Sequence, residues 1–246
     1  MDEWSGFDDA DPEIQDKEAA LCSLADIIWC VSAPLVEKLK PRFPNKVRYV
    51  PNGVNYEFFS RSIALRNRSP SQGLPVLCYI GALDSWFDSS LVRGVAQQLP
   101  EWRIVLVGPP RLSATQLSEL ALPNITLAGS LDYGQLPLLL SAVDVCMIPF
   151  ILNDLIRATS PIKLYEYLGA GLPVVSTPLP EVLVHQEAGV VQCESDPRRF
   201  AHAVRELQQT NARERRQAVA RTRDWQVLFK AALREAGVLD GFGPHE

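Results

Sequence analysis

The sequence predicts an α/β protein built on a doubly wound, Rossmann-like parallel sheet. Three observations carry that expectation. Short β-rich runs alternate with helical patterns along most of the chain. Several of the runs are apolar almost throughout, as parallel strands covered on both faces must be. Two of the loops that follow such runs depart from plain connections, one by its glycine and one by its length.

The candidate strands are residues 27–31, 47–50, 76–80, 103–107, 125–128, 143–148, 173–176 and 190–192. Helical periodicity fills the intervals at 13–25, 33–40, 89–98, 113–120, 133–141, 161–170 and 197–208, and the chain is helical from Asn211 onward. A polar stretch at 55–75 holds Ser60, Ser62, Ser69, Ser71, Gly73 and two prolines. It reads as a linker before a fresh sheet at Val76.

Size and composition narrow the function. The 246 residues fit one large α/β domain, or one domain and a fragment of another. A net charge of −5 gives no general attraction to nucleic acid or anionic lipid. The cluster Arg213, Arg215, Arg216, Arg221 and Arg223 reads as a solvated helix face. Cys22, Cys30, Cys78, Cys146 and Cys193 form no C-x-x-C pair, and three of them lie in apolar strand-like runs. That is the pattern of a reduced, cytosolic chain. His185, His202 and His245 are scattered and make no metal spacing. The acidic N-terminus is not a signal peptide, and no apolar run approaches a membrane span.

Ligands of doubly wound sheets bind beyond the carboxyl ends of the strands. After the run 76–80 comes Gly81-Ala82-Leu83-Asp84-Ser85-Trp86, followed by a helix. A phosphate site and a plain βα turn both fit it. After 143–148 comes a loop from Pro149 to Ser160, longer than the roughly 2–6 residues usual for such connections. It ends Thr159-Ser160-Pro161, with Ser160 expected as N-cap and Pro161 as the first helical residue. The free N–H groups and dipole of that helix end make an anion site. Lys163 in the first turn opposes the dipole unless an anion binds. Glu166 follows about 4.5 Å along the axis on the same face. A lysine at phosphates with a carboxylate at ribose hydroxyls fits that offset, and so does a surface Lys–Glu pair. Ile162, Tyr165 and Leu168 read as the core face. Asp9-Ala10-Asp11 looks like a metal-binding D-x-D but sits in an acidic tail, so it reads as solvated surface.

Longer segments then carry a resemblance. Tyr49-Val50-Pro51-Asn52-Gly53-Val54-Asn55, with Phe58-Phe59, resembles the crossover of family 4 glycosyltransferases of the GT-B fold, and Ala25-Asp26-Ile27-Ile28-Trp29-Cys30-Val31-Ser32 resembles the strand that precedes it. The stretch Pro149-Phe150, Asn153 and Thr159 through Thr177 resembles their donor-site segment, most closely that of teichuronic-acid-type enzymes of polysaccharide biosynthesis.

The resemblance implies transfer of a sugar from a nucleotide-sugar to a glycan or lipid-linked acceptor. It implies Glu166 on the ribose, Lys163 and the adjoining backbone at the diphosphate, Thr159 and Ser160 among the donor-binding residues, and Gly81 to Asp84 against the phosphates. Asn153 belongs to the same donor-site segment. Tyr133 flanks the base or merely packs at a helix start. No cofactor or metal is expected, because the helix end and Lys163 offset the diphosphate charge. No catalytic residue is assigned.

Two departures stand out. Ala158 occupies the place of a second family glutamate, and Asp84, Trp86 and Asp88 stand where a basic pair is usual. The donor sugar and the stereochemical course are therefore left unassigned. The expected organisation is residues 1–54 from an N-terminal acceptor domain, a 55–75 linker, a 76–222 donor-binding domain, and a 223–246 helix that packs back on the first half. Strands 27–31 and 47–50 are expected to have open edges, and Trp225, Leu228, Phe229 and Leu233 to lack cover. The expected chain binds donor without transferring it, and self-associates or meets a separate N-terminal-half partner. Its expected place is the cytoplasm, with the inner membrane face as a peripheral site. A non-catalytic subunit or remnant that binds the nucleotide-sugar is the alternative reading.

Overall fold

The structure, a computed structural model, describes residues 13–66, 73–187 and 189–238. The chain opens with α1 (Ile14–Leu24), β1 (Ile28–Cys30), α2 (Ala33–Leu39), β2 (Val47–Tyr49) and α3 (Tyr56–Ala64). It continues through β3 (Val76–Ile80), α4 (Ser89–Gln98), β4 (Arg103–Val107), α5 (Ala114–Glu119) and β5 (Ile125–Gly129). A 3-10 turn at Tyr133–Gln135 leads into α6 (Leu136–Ser141), β6 (Val145–Ile148), α7 (Asp154–Arg157) and α8 (Ile162–Gly169). Then follow β7 (Val174–Ser176), α9 (Pro180–Leu183), β8 (Val191–Cys193), α10 (Pro197–Gln208), α11 (Arg213–Thr222) and α12 (Trp225–Glu235).

Six strands form one parallel sheet in the order β5-β4-β3-β6-β7-β8. Counted from β3, that is the doubly wound order of two βαβαβ halves. Its switch point lies between β3 and β6, where a crevice opens at the carboxyl ends. Alternation along β3 assigns its side chains to two layers. Val76, Cys78 and Ile80 join α6 and α8, with Phe59 of α3. Leu77 and Tyr79 join α4 and α10 through Leu91, Val95, Phe200 and Val204. Strands β1 and β2 pair in parallel with each other in a separate sheet, Ile28 opposite Val47.

Several expectations change. Residues 56–64 of the proposed linker form α3. Asn55 caps it by accepting from the Phe58 amide at 3.0 Å, and Phe59 and Ser62 are buried. The serines that make the stretch look like linker are a half-buried Ser60 and a Ser62 whose hydroxyl is satisfied by the Phe59 carbonyl at 2.8 Å. Ser69 and Ser71 lie outside the described residues, as do Asp9 to Asp11 and His245. The segment after Asn211 breaks at Arg223, because Asp224 caps a new helix by accepting from the Gln226 amide at 2.8 Å. Helix α12 then returns to the crossover. The Val54 amide donates to the Arg223 carbonyl at 2.9 Å, and the Trp225 amide to the Val54 carbonyl at 3.0 Å. Arg48 of β2 reaches Glu235 at 2.9 Å. Trp225, Leu228 and Leu233 are half-buried, whereas Phe229 stays exposed.

Candidate functional site

The crevice at the switch point is built by the loop after β3 and the loop after β6. A pocket of about 310 Å³ lies between them, lined by Tyr79, Gly81, Ala82, Trp86, Phe150, Leu155, Ile156, Thr159, Pro161, Ile162 and Lys163. Backbone bonds clamp its walls: the Ile151 amide donates to the Trp86 carbonyl at 2.9 Å, and the Asp88 amide to the Pro149 carbonyl at 2.8 Å. The Gly81 loop is tied to the end of β4 and the loop after it by Gly81 N to Val107 O at 2.8 Å and Leu83 N to Pro109 O at 3.0 Å.

Helix α8 points its N-terminus at this pocket. It starts at Ile162, one residue later than expected. Pro161 is the flanking residue, and no side chain caps the end. The Leu164 amide closes the first turn on the Pro161 carbonyl at 3.0 Å, and the amides before it are the donors this end presents to the crevice. Ser160 is not the cap. Its hydroxyl accepts from the Asn52 amide at 3.3 Å, and its carbonyl from the Asn52 carboxamide at 2.8 Å. Ser160 therefore seats the crossover on the loop.

Lys163 Nζ meets Glu166 Oε2 at 2.8 Å, with the lysine side chain 26% exposed and the glutamate only 7%. The i,i+3 pair is thus formed, but largely out of water. Tyr133 stacks on Phe58 with centroids 4.8 Å apart and planes at 6°, and meets Phe59 edge-on at 5.8 Å. Burial, and then the neighbouring Glu166 carboxylate, pushes the Tyr133 phenol up. Tyr133 and Glu166 therefore border the same space, although Tyr133 remains 53% exposed.

The other proposed residues are engaged with the protein. Asp84 accepts from the Ser85 amide at 2.7 Å and stands 3.6 Å from Arg111. Asn153 caps α7 by accepting from the Ile156 amide at 2.8 Å, and the Thr159 hydroxyl donates to the Ile156 carbonyl at 2.8 Å. So Gly81, Thr159, Lys163 and Glu166 come together, with Tyr133 beside them, while Asp84, Asn153 and Ser160 shape the loops. The sequence reading missed Trp86, Phe150, Leu155 and Ile156 as pocket walls. It also assigned Ile162 to the core, where the structure leaves it 38% exposed at the mouth. Leu155 and Ile156 were hidden because α7, a single turn inside a long loop, turns them inward.

Behind α8 lies a second set of polar contacts. Glu181 of α9 is buried, accepts from the Ala33 amide at 2.7 Å, and receives the Tyr49 hydroxyl. The Ser32 hydroxyl donates to the Ala158 carbonyl at 2.6 Å. Tyr165 meets His185 at 3.3 Å, and the Arg223 guanidinium lies 5.8 Å from the Tyr165 ring centre. Burial, and then the charge of Arg223, lowers His185 from 6.5 to about 4. Among the described residues no group of His, Cys, Asp or Glu could hold a metal ion. No helix among them is long and apolar enough to cross a membrane.

The model of the family "Glycosyl transferases group 1" matches residues 75–210, which run from the start of β3 past α10. A putative teichuronic acid biosynthesis glycosyltransferase, TuaH of Bacillus subtilis (strain 168), is 32% identical over 238 residues, 92% of this chain and 60% of the relative. The chain therefore spans about 60% of the length of the curated relative it matches. Among solved structures, Anabaena Alr3699/HepE in complex with UDP and glucose matches with TM-score 0.67 at 15% identity, over 93% of this chain and 67% of that one. Sucrose-phosphate synthase from Thermosynechococcus elongatus gives 0.69 at 20% identity, covering 95% and 63%. A UDP-forming trehalose-phosphate synthase from Burkholderia xenovorans in complex with glucose-6-phosphate gives 0.71 at 16% identity, covering 91% and 63%. At these identities the structures share the fold.

Proposed function

Because the chain belongs to the group 1 glycosyltransferases, we propose that it binds a nucleotide-sugar donor at the β3–β6 switch point and serves its transfer to a glycan or lipid-linked acceptor in cell-surface polysaccharide synthesis, on the cytoplasmic side of the membrane. The observation that carries this reading is the uncapped start of α8 beside Gly81, with Lys163 and a buried Glu166 in its first turns. Structures of the same fold support it, among them Anabaena HepE in complex with UDP-glucose.

In this reading the diphosphate lies against the α8 amides and Lys163. Glu166 takes the ribose hydroxyls, and the Phe58–Tyr133 stack borders the base. Transfer breaks the bond between the anomeric carbon and a diphosphate oxygen. The electron pair stays on that oxygen, and an acceptor hydroxyl forms the new bond after giving up its proton. What this part of the protein supplies is a field already oriented toward the charge that grows on the leaving diphosphate. The α8 end and Lys163 do so without a metal ion. Lys163 must leave Glu166 as the donor enters, exchanging one carboxylate for phosphate oxygens.

Calorimetry with UDP, GDP and thymidine diphosphate tests the reading. Charge-assisted contacts contribute about 1.5–3 kcal/mol each, so Glu166→Ala and Lys163→Ala should each weaken binding roughly tenfold or more. Binding should persist in excess EDTA. Unchanged affinity in both variants, or a strict need for Mg²⁺, would remove the proposed site.

A further inference from the structure

The pocket beside α8 has an unusual chemistry for a sugar. A hexose ring presents hydroxyls in every direction, and a buried hydroxyl without a partner loses its hydration for nothing. Here the walls are Trp86, Phe150, Leu155, Ile156 and Ile162, and the adjacent polar groups are already engaged. The Tyr79 hydroxyl donates to the Ala82 carbonyl at 2.9 Å. The Thr159 hydroxyl donates to the Ile156 carbonyl, and the Asn153 carboxamide oxygen accepts from the Ile156 amide. Ala158 is buried, and its carbonyl accepts from Ser32. Beyond Lys163 and the α8 amides at the mouth, the lining offers mainly carbon.

Resting on the donor-site reading above, we infer that this pocket takes a donor sugar bearing a methyl-terminated substituent, an acetamido group or a 6-deoxy carbon, in preference to the fully hydroxylated hexose. The charged mouth and the apolar interior are continuous, so a diphosphate held at Lys163 directs the attached sugar along the apolar wall. Trp86 adds an aromatic ring to the lining, and Leu155 and Ile156 sit on α7, where the Asn153 cap fixes them. The clamp between residues 86–88 and 149–151 holds the walls together. The pocket volume of about 310 Å³ leaves space for the ring with its substituent.

The test is a calorimetric series on the whole chain with UDP, UDP-glucose, UDP-N-acetylglucosamine and UDP-6-deoxyglucose, run beside GDP, GDP-mannose and its 6-deoxy counterpart GDP-rhamnose. Burial of one methyl is expected to tighten binding about fourfold over the hydroxylated partner, before any gain from avoiding an unmet hydroxyl. The two UDP arms separate the acetamido from the 6-deoxy source. Leu155→Asn should bring the ratio of methyl-bearing to hydroxylated affinity to one or below, and Ile162→Thr, at a half-exposed position, should reduce it. Ratios are taken within each variant, so a general loss of nucleotide affinity cancels. Hydroxylated donors binding as tightly as their methyl-bearing partners in every series, with UDP or GDP itself bound, overturn the inference alone. Absence of binding by any diphosphate overturns the donor site on which it rests.

Discussion

Replacing Gly108 by alanine places a methyl group where the backbone of the site already stands. A Cβ at this position falls 1.9 Å from the Gly81 carbonyl oxygen and 2.6 Å from its carbon. Side chains do not approach backbone closer than about 3 Å, so the Gly81 loop must retreat by roughly 1 Å. Gly108 also has φ +145, a conformation alanine adopts only under strain. Strain of this kind costs about 1–3 kcal/mol and overpacking a further ~1–3, giving a loss of about 2–6 kcal/mol. The retreat is concentrated on the bonds from Gly81 to Val107 and from Leu83 to Pro109, which hold one wall of the pocket. Nucleotide affinity should therefore fall by more than tenfold even where the chain remains folded. Urea denaturation gives the first quantity and calorimetry the second. Gly134→Ala is the control, because its added methyl meets nothing within 4 Å and should leave stability unchanged or slightly raised. A Gly108→Ala protein with wild-type midpoint and affinity would refute the close approach of the two loops.

Three further outcomes follow. Lys163→Met should destabilise the free protein by about 1–3 kcal/mol, since it strands a carboxylate 7% exposed, whereas Glu166→Gln should cost less because Lys163, at 26%, can turn to water; equal losses in denaturation would contradict this asymmetry. Gly53→Ala puts a methyl 2.6 Å from the Arg223 carbonyl and 2.8 Å from Leu228. It should lower stability by about 1–3 kcal/mol through displacement of α12, and a neutral result in urea would oppose that packing. His185, held at about 4 against 6.5 in the unfolded chain, binds its proton later when folded. Its contribution is complete above about pH 6.5 and lost as the pH falls toward 4, so His185→Gln should flatten the stability profile in that window; a slope identical to wild type would exclude His185 as its source.

The six-stranded sheet was legible because buried parallel strands have nearly pure apolar runs, as in Val145–Ile148, and because the helices between them keep their period. Helix α8 was legible from its proline entry, its first-turn lysine and a carboxylate one turn on, the features on which the proposed donor site rests. Short-range capping was harder to read. Asn55 converts a serine-rich stretch into α3, and Ser160, which looks like an N-cap, is instead drawn to Asn52, a residue 108 positions away. The pocket walls were illegible because Leu155 and Ile156 acquire their direction from a four-residue helix too short to show a period. Tyr133 beside Phe58 depends on a contact between α3 and the turn after β5, which no local pattern encodes.

The contacts made by Ser32, Tyr49 and Asn52 have a consequence for recombination. All three come from the segment around β1 and β2, yet they end on Ala158, Glu181 and Ser160 in loops of the six-stranded domain. Glu181 is 2% exposed, and a foreign partner without a hydroxyl at the Tyr49 position would leave one of its oxygens dry. A chimera that joins this six-stranded domain to another N-terminal unit therefore has to carry these three residues with it. The functional cut falls upstream of Ser32 rather than at the visible seam between the two sheets.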